Sequence, residues 1–318
     1  MSDAAFDSPG VAGAIRYDFS VMGGPASVQL PGPRSAHTDA LAQSAIDEVR
    51  RIEAKYSRYR SDSVIGHINA NAGGEPVACD AETLALLRFA DHLWRSSEGR
   101  VDATSGVLRR AWNFRGGSLP MPSQIDALLP LVGWAQVQWG PQPGSHEAGA
   151  DTGASQGRVR LAQTGMELDF GGFGKEYAAD RAAGVLRQAG VTHALVELAG
   201  DLVAIGPRPD GEPWQVGIRH PRKPGALLAT VPLVDQALAT SGDYERFIEV
   251  NGHRYGHVLD ARTGWPVDHW QSATVVAATC LAAGAGTTLA LLMGPEAETA
   301  LAQGRLQGLF VDRHADPA

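Results

Sequence analysis

His257, Asp260, Arg262, Thr263 and Gly264 crowd into one short stretch, and Ser241, Gly242 and Asp243 stand shortly before them. Imidazole is the side chain whose ordinary pKa lies nearest neutrality, and an acid two or three residues away can hold the ring in one tautomer. His257 with Asp260 therefore fits a general base. A solitary histidine is more often structural, and Asp and Gly at strand ends commonly serve only as turn formers. The clustering of polar groups is what favours chemistry here, and spacing alone names no substrate.

A second stretch bears on anions. Gly171-Gly172-Phe173-Gly174 follows an apolar run and leads into a helical pattern from Lys175 or Glu176 to Gln188, closed by Gly190. Glycines let the backbone approach an anion, the free amides and positive dipole end of a helix face it, and Lys175 adds a charge. The stretch matches neither the Walker pattern nor the dinucleotide fingerprint, and such turns also occur as plain tight corners.

The elements that must position these groups read as follows. Asn251-Gly252, a turn pair favouring left-handed backbone, separates Tyr244–Val250 from His253–Val258 and predicts a hairpin that carries His257 at its exit. Ala14–Leu30 reads as a strand pair broken at Met22-Gly23-Gly24-Pro25. Leu41, Ala45, Val49, Ile52 and Tyr56 recur at helical spacing from Thr38, with Ser57 to Asn69 ending that helix. Asp80 can cap a second helix that stops at Gly99, directly before Arg100-Val101-Asp102. A short helix within 116–143 precedes a strand from Ala135 to Trp139. Arg158–Leu161 and Met166–Phe170 read as one hairpin, and His193–Leu198 with Leu202–Ile205 as another. Trp214–Arg219, Ser272–Thr279 and Arg305–Val311 read as strands, and Leu281–Met293 as an Ala-rich helix with Gly284 and Gly286 in its first turns. Residues 1–13 read as a flexible start, 140–157 as a surface-loop insertion, and 313–318 as a tail.

The 318 residues carry a net charge of -8 and no basic run, which argues against a nucleic-acid surface but not against a single phosphorylated ligand. Cys79 and Cys280 are the only cysteines, too few for a disulfide framework or a thiolate metal cluster, and read as small buried residues. With no transmembrane segment and no export leader, the expectation is a cytoplasmic chain, or a periplasmic one if a leader was removed.

Taken together, the motifs resemble those of the ApbE family, the FAD:protein FMN transferases. The resemblance covers about residues 15–312 and rests on seven ordered stretches: MGG at Met22, SRYRSDSVIGHIN from Ser57, GRVDATSGVL from Gly99, LDFGGFGKEYAAD from Leu168, VELAGDLVAIG from Val196, SGDYERF from Ser241, and HVLDARTGWPV from His257. It implies an α+β, T-fold-related protein of mixed sheets with packed helices, one domain over 14–312 with an FAD cleft between two lobes. It implies FAD as substrate, cleaved at its pyrophosphate, with FMN passed to a Thr or Ser of a flavinylation-target protein and magnesium on the phosphates. By the resemblance His257 is the base. Met22 and Tyr59 line the flavin nucleotide pocket, where ordinary core packing is the alternative explanation; Arg100, Val101, Asp102 and Asp169 hydrogen-bond the nucleotide, and Lys175 and Val258 contact it near the phosphates.

Three positions depart from the family pattern. The family's magnesium ligands are a carboxylate and a threonine four residues apart, with a carbonyl from the glycine turn. Thr288 and Gly172 match, whereas the carboxylate position is Gly284. Either water or another acid, Asp260 or Asp243, fills the gap, or the chain binds FAD without efficient turnover. Glu176 stands where the family has glycine, and could add an acid near the ion or simply favour the start of its helix. Gly24 stands where a threonine is common. The expectation is a flavin transferase, the alternatives being an FAD-binding protein that has lost metal-dependent catalysis and an FAD pyrophosphatase in which water replaces the hydroxyl.

Overall fold

In chain order the elements are β1 (Ala14–Val21), β2 (Gly24–Pro31), α1 (Ala36–Tyr56), α2 (Val64–Ala70), β3 (Val77–Cys79), α3 (Ala81–Ser96), α4 (Pro122–Asp126), β4 (Val137–Pro141), β5 (Gly157–Leu161) and α5 (Gly174–Gln188). There follow β6 (Ala194–Leu198), β7 (Asp201–Ile205), β8 (Trp214–Arg219), β9 (Leu227–Leu233), β10 (Ala237–Gly242), β11 (Phe247–Val250), β12 (His253–Gly256), β13 (Trp270–Ala277), α6 (Cys280–Met293), α7 (Glu296–Gln303) and β14 (Gln307–Asp312). The computed structural model describes residues 13–114, 116–141, 157–304 and 306–315. It separates into two compact units, one of Met1–Glu53, Gly171–Tyr244 and Asp268–Ala318, the other of Ala54–Phe170 and Glu245–Val267.

The first unit is built on a seven-stranded sheet in the order β1-β2-β6-β7-β10-β13-β14, antiparallel at every pairing. Its central strands β6 and β7 are buried along their whole length, so neither alternates, and each carries one buried acid, Glu197 and Asp201, among apolar residues. Two tight turns set its register. Met22 and Gly23 at φ 51° and 77°, and Ala199 and Gly200 at φ 51° and 99°, give the paired left-handed residues that match strand twist. Helices α5 and α6 pack on this sheet and on each other. Their buried faces are rich in small residues, Ala178, Ala179, Ala182 and Ala183 on α5 and Ala283 to Gly286 on α6. The β8–β9 hairpin closes a separate cluster in which Trp214, Val216 and Leu233 pack with Leu195, Leu202 and Leu238.

The second unit holds the β3-β5-β4 sheet, the β11–β12 hairpin and helices α2, α3 and α4. Asn251 and Gly252 turn the hairpin at φ 53° and 75°, the left-handed pair expected of Asn-Gly. Ile248 of that hairpin is buried with Val107, Leu108, Trp112 and Ile125, and Tyr255, Leu259 and Trp265 pack against them. The hairpin is thereby anchored to the segment that follows α3.

Several expectations need correction. Met166–Phe170 is not a strand: β5 pairs instead with β4 and β3. The side-chain amide of Asn69 takes the place of a strand neighbour, its Oδ1 accepting from the Leu168 amide at 2.6 Å and its Nδ2 donating to the Leu168 carbonyl at 3.0 Å. The stretch expected only to end α1 forms α2, whose N-cap Ser63 accepts from the Gly66 amide at 2.8 Å. Strands β9 and β10 were not foreseen, since Pro232 interrupts the first and Ala-Thr-Ser-Gly composes most of the second. The loop expected over 140–157 is bounded by β4, which runs through Pro141, and β5, which starts at Gly157; its interior 142–156, like 1–12 and 316–318 of the expected flexible start and tail, lies outside the described residues. Among the described residues no helix is long and apolar enough to cross a membrane.

Asp80 caps α3 as expected, accepting from the Thr83 amide at 2.9 Å, and it also pairs with Lys55. Burial alone would raise its pKa, but hydrogen bonds from Lys55 and Thr83 overcome that and hold the carboxyl below its ordinary value. The folded state thus binds this proton more weakly than the unfolded chain. Its contribution is complete above the unfolded pKa of about 3.9 and is lost as the pH falls through the folded value. Asp80→Ala should cost about 1–2 kcal/mol in urea unfolding at neutral pH, and the difference from wild type should shrink below about pH 4.

Candidate functional site

In the first unit the turn Gly171–Phe173 delivers the chain to α5, whose N-cap residue Phe173 makes no side-chain cap hydrogen bond. Gly171 and Gly172 are exposed, and a Cβ added to Gly172 or Gly174 would meet nothing within 4 Å. Gly172 and Gly174 therefore leave steric room at the start of the helix, where an anion would approach. Lys175 Nζ lies 2.9 Å from Asp201 Oδ2. Asp201 is 2% exposed and opens β7, so the sheet itself sets where the Lys175 ammonium stands. Met22 is fixed through its main chain, its amide donating to Glu53 Oε1 at 2.6 Å.

Helix α6 is held on α5 by a specific contact. Asp180 accepts from the Cys280 and Leu281 amides at 2.8 and 2.9 Å, capping the first turn of α6 together with Thr279. Burial raises the Asp180 pKa, with those amides opposing the rise. One turn back on α5 is Glu176, one turn on along α6 is Gly284, and a Cβ at Gly284 would lie 2.5 Å from Glu176 Cγ and 2.8 Å from Oε1. Burial and then the carboxylates of Asp201, Glu176 and Asp180 push the Cys280 thiol well above its ordinary pKa. Thr287 donates to the Gly284 carbonyl at 2.9 Å and bonds Ser241, whereas Thr288 is half-buried.

The second unit gathers the remaining residues through consecutive contacts. Tyr59 is 82% exposed, which removes core packing as its explanation, and the Arg58 guanidinium lies over its ring at 5.6 Å. Arg58 is fixed by the Gly106 carbonyl at 2.9 Å and by Asp169 at 3.0 Å. The Asp169 amide donates to the Ala103 carbonyl at 2.8 Å, and the Ala261 amide to the Arg100 carbonyl at 3.1 Å. Tyr59, Asp169, the Arg100-Val101-Asp102 segment and the loop after His257 thus share one neighbourhood within this unit. The Val101 amide donates to Ser97 Oγ at 2.9 Å. Asp102 is buried, and its carboxylate is engaged by the Thr104 amide and hydroxyl and by the Trp134 amide, at 2.7, 2.6 and 2.8 Å. Burial raises its pKa against those hydrogen bonds. Its side chain shapes the loop, and its carbonyl accepts from the Ser105 amide at 3.0 Å.

The loop bearing His257 and Val258 is itself a small hairpin. The Val267 amide donates to the Val258 carbonyl at 3.2 Å, Leu259 bridges Pro266, and the Asp260 amide donates to the Trp265 carbonyl at 2.9 Å. Gly264 closes it at φ 72°, its carbonyl accepting from Trp112 Nε1 at 2.8 Å.

These two neighbourhoods are similar to known proteins along nearly the whole chain. The sequence model of the ApbE family matches residues 22–310. A curated FAD:protein FMN transferase from Klebsiella pneumoniae (strain 342) is 31% identical over 306 residues, covering 94% of this chain and 90% of the relative. The chain belongs to the ApbE family. Another FAD:protein FMN transferase, from Treponema pallidum (strain Nichols), is 32% identical over 279 residues, 84% of this chain and 75% of that one. Among solved structures, the ApbE protein of Thermotoga maritima aligns with a TM-score of 0.82 at 28% identity, covering 94% of each chain. The Pseudomonas stutzeri flavinyl transferase ApbE aligns at 0.78 and 29% identity over 95% of this chain and 92% of that one.

Set against the ApbE pattern, the departures acquire physical reasons. A Cβ at Gly24 would stand 2.9 Å from the Cβ of Ala199, so the side chain at 199 excludes one at 24. Asp243 is held by Arg222 in a two-pronged pair at 2.7 and 2.6 Å. Asp260 accepts from the Arg262 amide and guanidinium at 2.9, 3.1 and 2.8 Å. Both acids that might have replaced the missing carboxylate are therefore committed elsewhere. Arg58, Asn69, Asp180 and Asp201 hold site residues in place and were not singled out from the sequence; the AGD turn in VELAGDLVAIG was the one signal that pointed to Asp201.

The glycine that closes the His257 loop gives a direct test. Its φ is left-handed, and a Cβ there would come 2.5 Å from Ile125 Cγ2 and 3.3 Å from Leu108 Cδ2. Gly264→Ala should cost about 2–4 kcal/mol, strain and overpacking together, in denaturant unfolding. Equal stability would show that the loop yields freely.

Proposed function

We propose that the protein is a flavin transferase that cleaves FAD between its phosphates and attaches FMN to a Thr or Ser hydroxyl of a target protein. The observation that carries this reading is the family match over residues 22–310, joined to a glycine turn that leads into α5 beside Lys175.

In the reaction the hydroxyl oxygen bonds to the flavin-side phosphorus, the bond from that phosphorus to the bridging oxygen breaks, and AMP leaves with the bridging oxygen. His257 takes the hydroxyl proton as the bond forms. Lys175, steadied by Asp201, and the α5 amides meet phosphate charge without rearranging, which is how a protein most effectively lowers the barrier to phosphoryl transfer. Tyr59 is exposed, and by the family resemblance it meets the isoalloxazine ring, with Asp169, Arg100, Val101, Asp102, Val258 and Met22 as the other residues that the resemblance assigns to the nucleotide. The Gly172 carbonyl and the Thr288 hydroxyl fit a hard cation that prefers oxygen ligands, and magnesium held there would neutralise charge on the pyrophosphate.

Incubation with FAD, magnesium and a flavinylation-target domain should yield covalent in-gel flavin fluorescence and one AMP per attachment. Free FMN without labelled target, or no product at all, would reject the reading. His257→Ala should lower transfer by about 100-fold or more while FAD binding, followed by flavin fluorescence, stays unchanged. Lys175→Ala should weaken FAD binding and transfer together.

A further inference from the structure

Two of the three departures from the family pattern face each other. Glu176 replaces a glycine on α5, Gly284 replaces an acid on α6, and the contact between these helices brings the two together. The Asp180 cap on Cys280 and Leu281 fixes the register, so successive turns back along α5 meet successive turns forward along α6. At the first such turn the Glu176 side chain occupies the volume into which any side chain at 284 would extend, its Cγ 2.5 Å, Oε1 2.8 Å and Cδ 2.9 Å from where a Cβ would be. The next turn leads to Thr288 on α6 and to the glycine turn ahead of α5.

We infer that Glu176 is the magnesium carboxylate of this chain, relocated from α6 to α5; the inference rests on the flavin-transfer reading above. Glutamate is one methylene longer than aspartate, which lets an acid rooted on α5 present its oxygens at the α6 surface. Glycine at 284 is the counterpart that leaves the room. The other acids available for the role, Asp243 and Asp260, are held by Arg222 and Arg262. The hydroxyl of Thr287 is likewise committed, to the Gly284 carbonyl and Ser241, leaving Thr288 as the helix's hydroxyl ligand. A carboxylate, a carbonyl and a hydroxyl form an all-oxygen set suited to magnesium. Glu176 is 6% exposed, so a cation beside it would be shielded from bulk water and held more strongly than at a surface acid.

An acid in the first turn of a helix is favoured by the dipole even with no metal, so the test reads metal directly. Free Mn2+, counted by its EPR signal, is titrated into the whole protein with and without FAD. Wild type should bind one Mn2+, displaced by Mg2+. Glu176→Gln, nearly isosteric, should weaken that affinity at least about tenfold, because the charge of the ligand set governs it. The exchange Glu176→Gly with Gly284→Asp should restore it to within about threefold of wild type. Absence of Mn2+ binding by wild type in either state, or an affinity of Glu176→Gln within about twofold of wild type, would overturn the inference. Should Glu176→Gln lose its fold by circular dichroism, the exchange variant decides: folded and binding supports the assignment, folded without binding overturns it. Flavinylation by wild type, run in parallel, separates the two readings. Transfer with metal affinity insensitive to Glu176 removes only the carboxylate assignment, whereas Glu176-dependent Mn2+ binding without transfer removes only the transferase.

Discussion

A carboxylate taken out of water must be partnered or it destabilises the fold, and the geometry of both units follows from how this constraint is met. Asp201 is buried at the start of β7 and meets the Lys175 ammonium, tying the sheet to the first turn of α5. Glu197 on β6 accepts from Ser27 at 3.1 Å and lies 3.5 Å from Arg16, joining three neighbouring strands. Asp102 gathers Thr104 and Trp134 and so gives the segment after α3 its shape. Asp260 draws the Arg262 amide and guanidinium around itself and stiffens the loop that carries His257. In each case the charge is met by one or two residues with defined geometry, and the neighbouring site residue inherits that geometry.

The same constraint explains which parts of the molecule could be read ahead of the structure. The hairpins at Met22-Gly23 and Asn251-Gly252, the cap at Asp80 and the glycine turn before α5 all have their cause within a few residues of sequence, in left-handed backbone or an unsatisfied amide. The expected pairing of His257 with Asp260 is not among them: the carboxylate of Asp260 is taken by Arg262. Strand β10 is different: Ala-Leu-Ala-Thr-Ser-Gly has little intrinsic preference for a strand and is one because β7 and β13 flank it. The run Met166–Phe170 misled for the opposite reason. Its composition suits a strand, yet the Asn69 amide, nearly a hundred positions away along the chain, satisfies the backbone at Leu168 that a strand partner would have taken.

Candidate site residues divide along the same line. Residue types and motif order pointed to Lys175, Asp169, His257 and the glycine turn, whereas what each carboxylate does depended on partners remote in sequence. Asp243 and Asp260 were equally plausible metal ligands until Arg222 and Arg262 were seen to hold them. Asp102, expected from the resemblance to hydrogen-bond the nucleotide, has its carboxylate engaged by Thr104 and Trp134. Resemblance supplied the roles, and packing decided which atoms remain free to perform them.

Glycine at position 284 shows how much of this lies beyond local rules. In a helix interior glycine costs about 1 kcal/mol relative to alanine, so local propensity argues against it and against Gly286 on the far side of the helix. Helix α6 nevertheless keeps both: at 286 a Cβ would meet Val275 at 3.1 Å, a tight but adjustable fit, whereas at 284 it would meet the Glu176 side chain at 2.5 Å. The first is a matter of helix lying close on sheet. The second cannot be a matter of backbone approach, because what fills the space is a buried acid from the neighbouring helix. Glycine at 284 is what leaves room for the buried Glu176 side chain at that point.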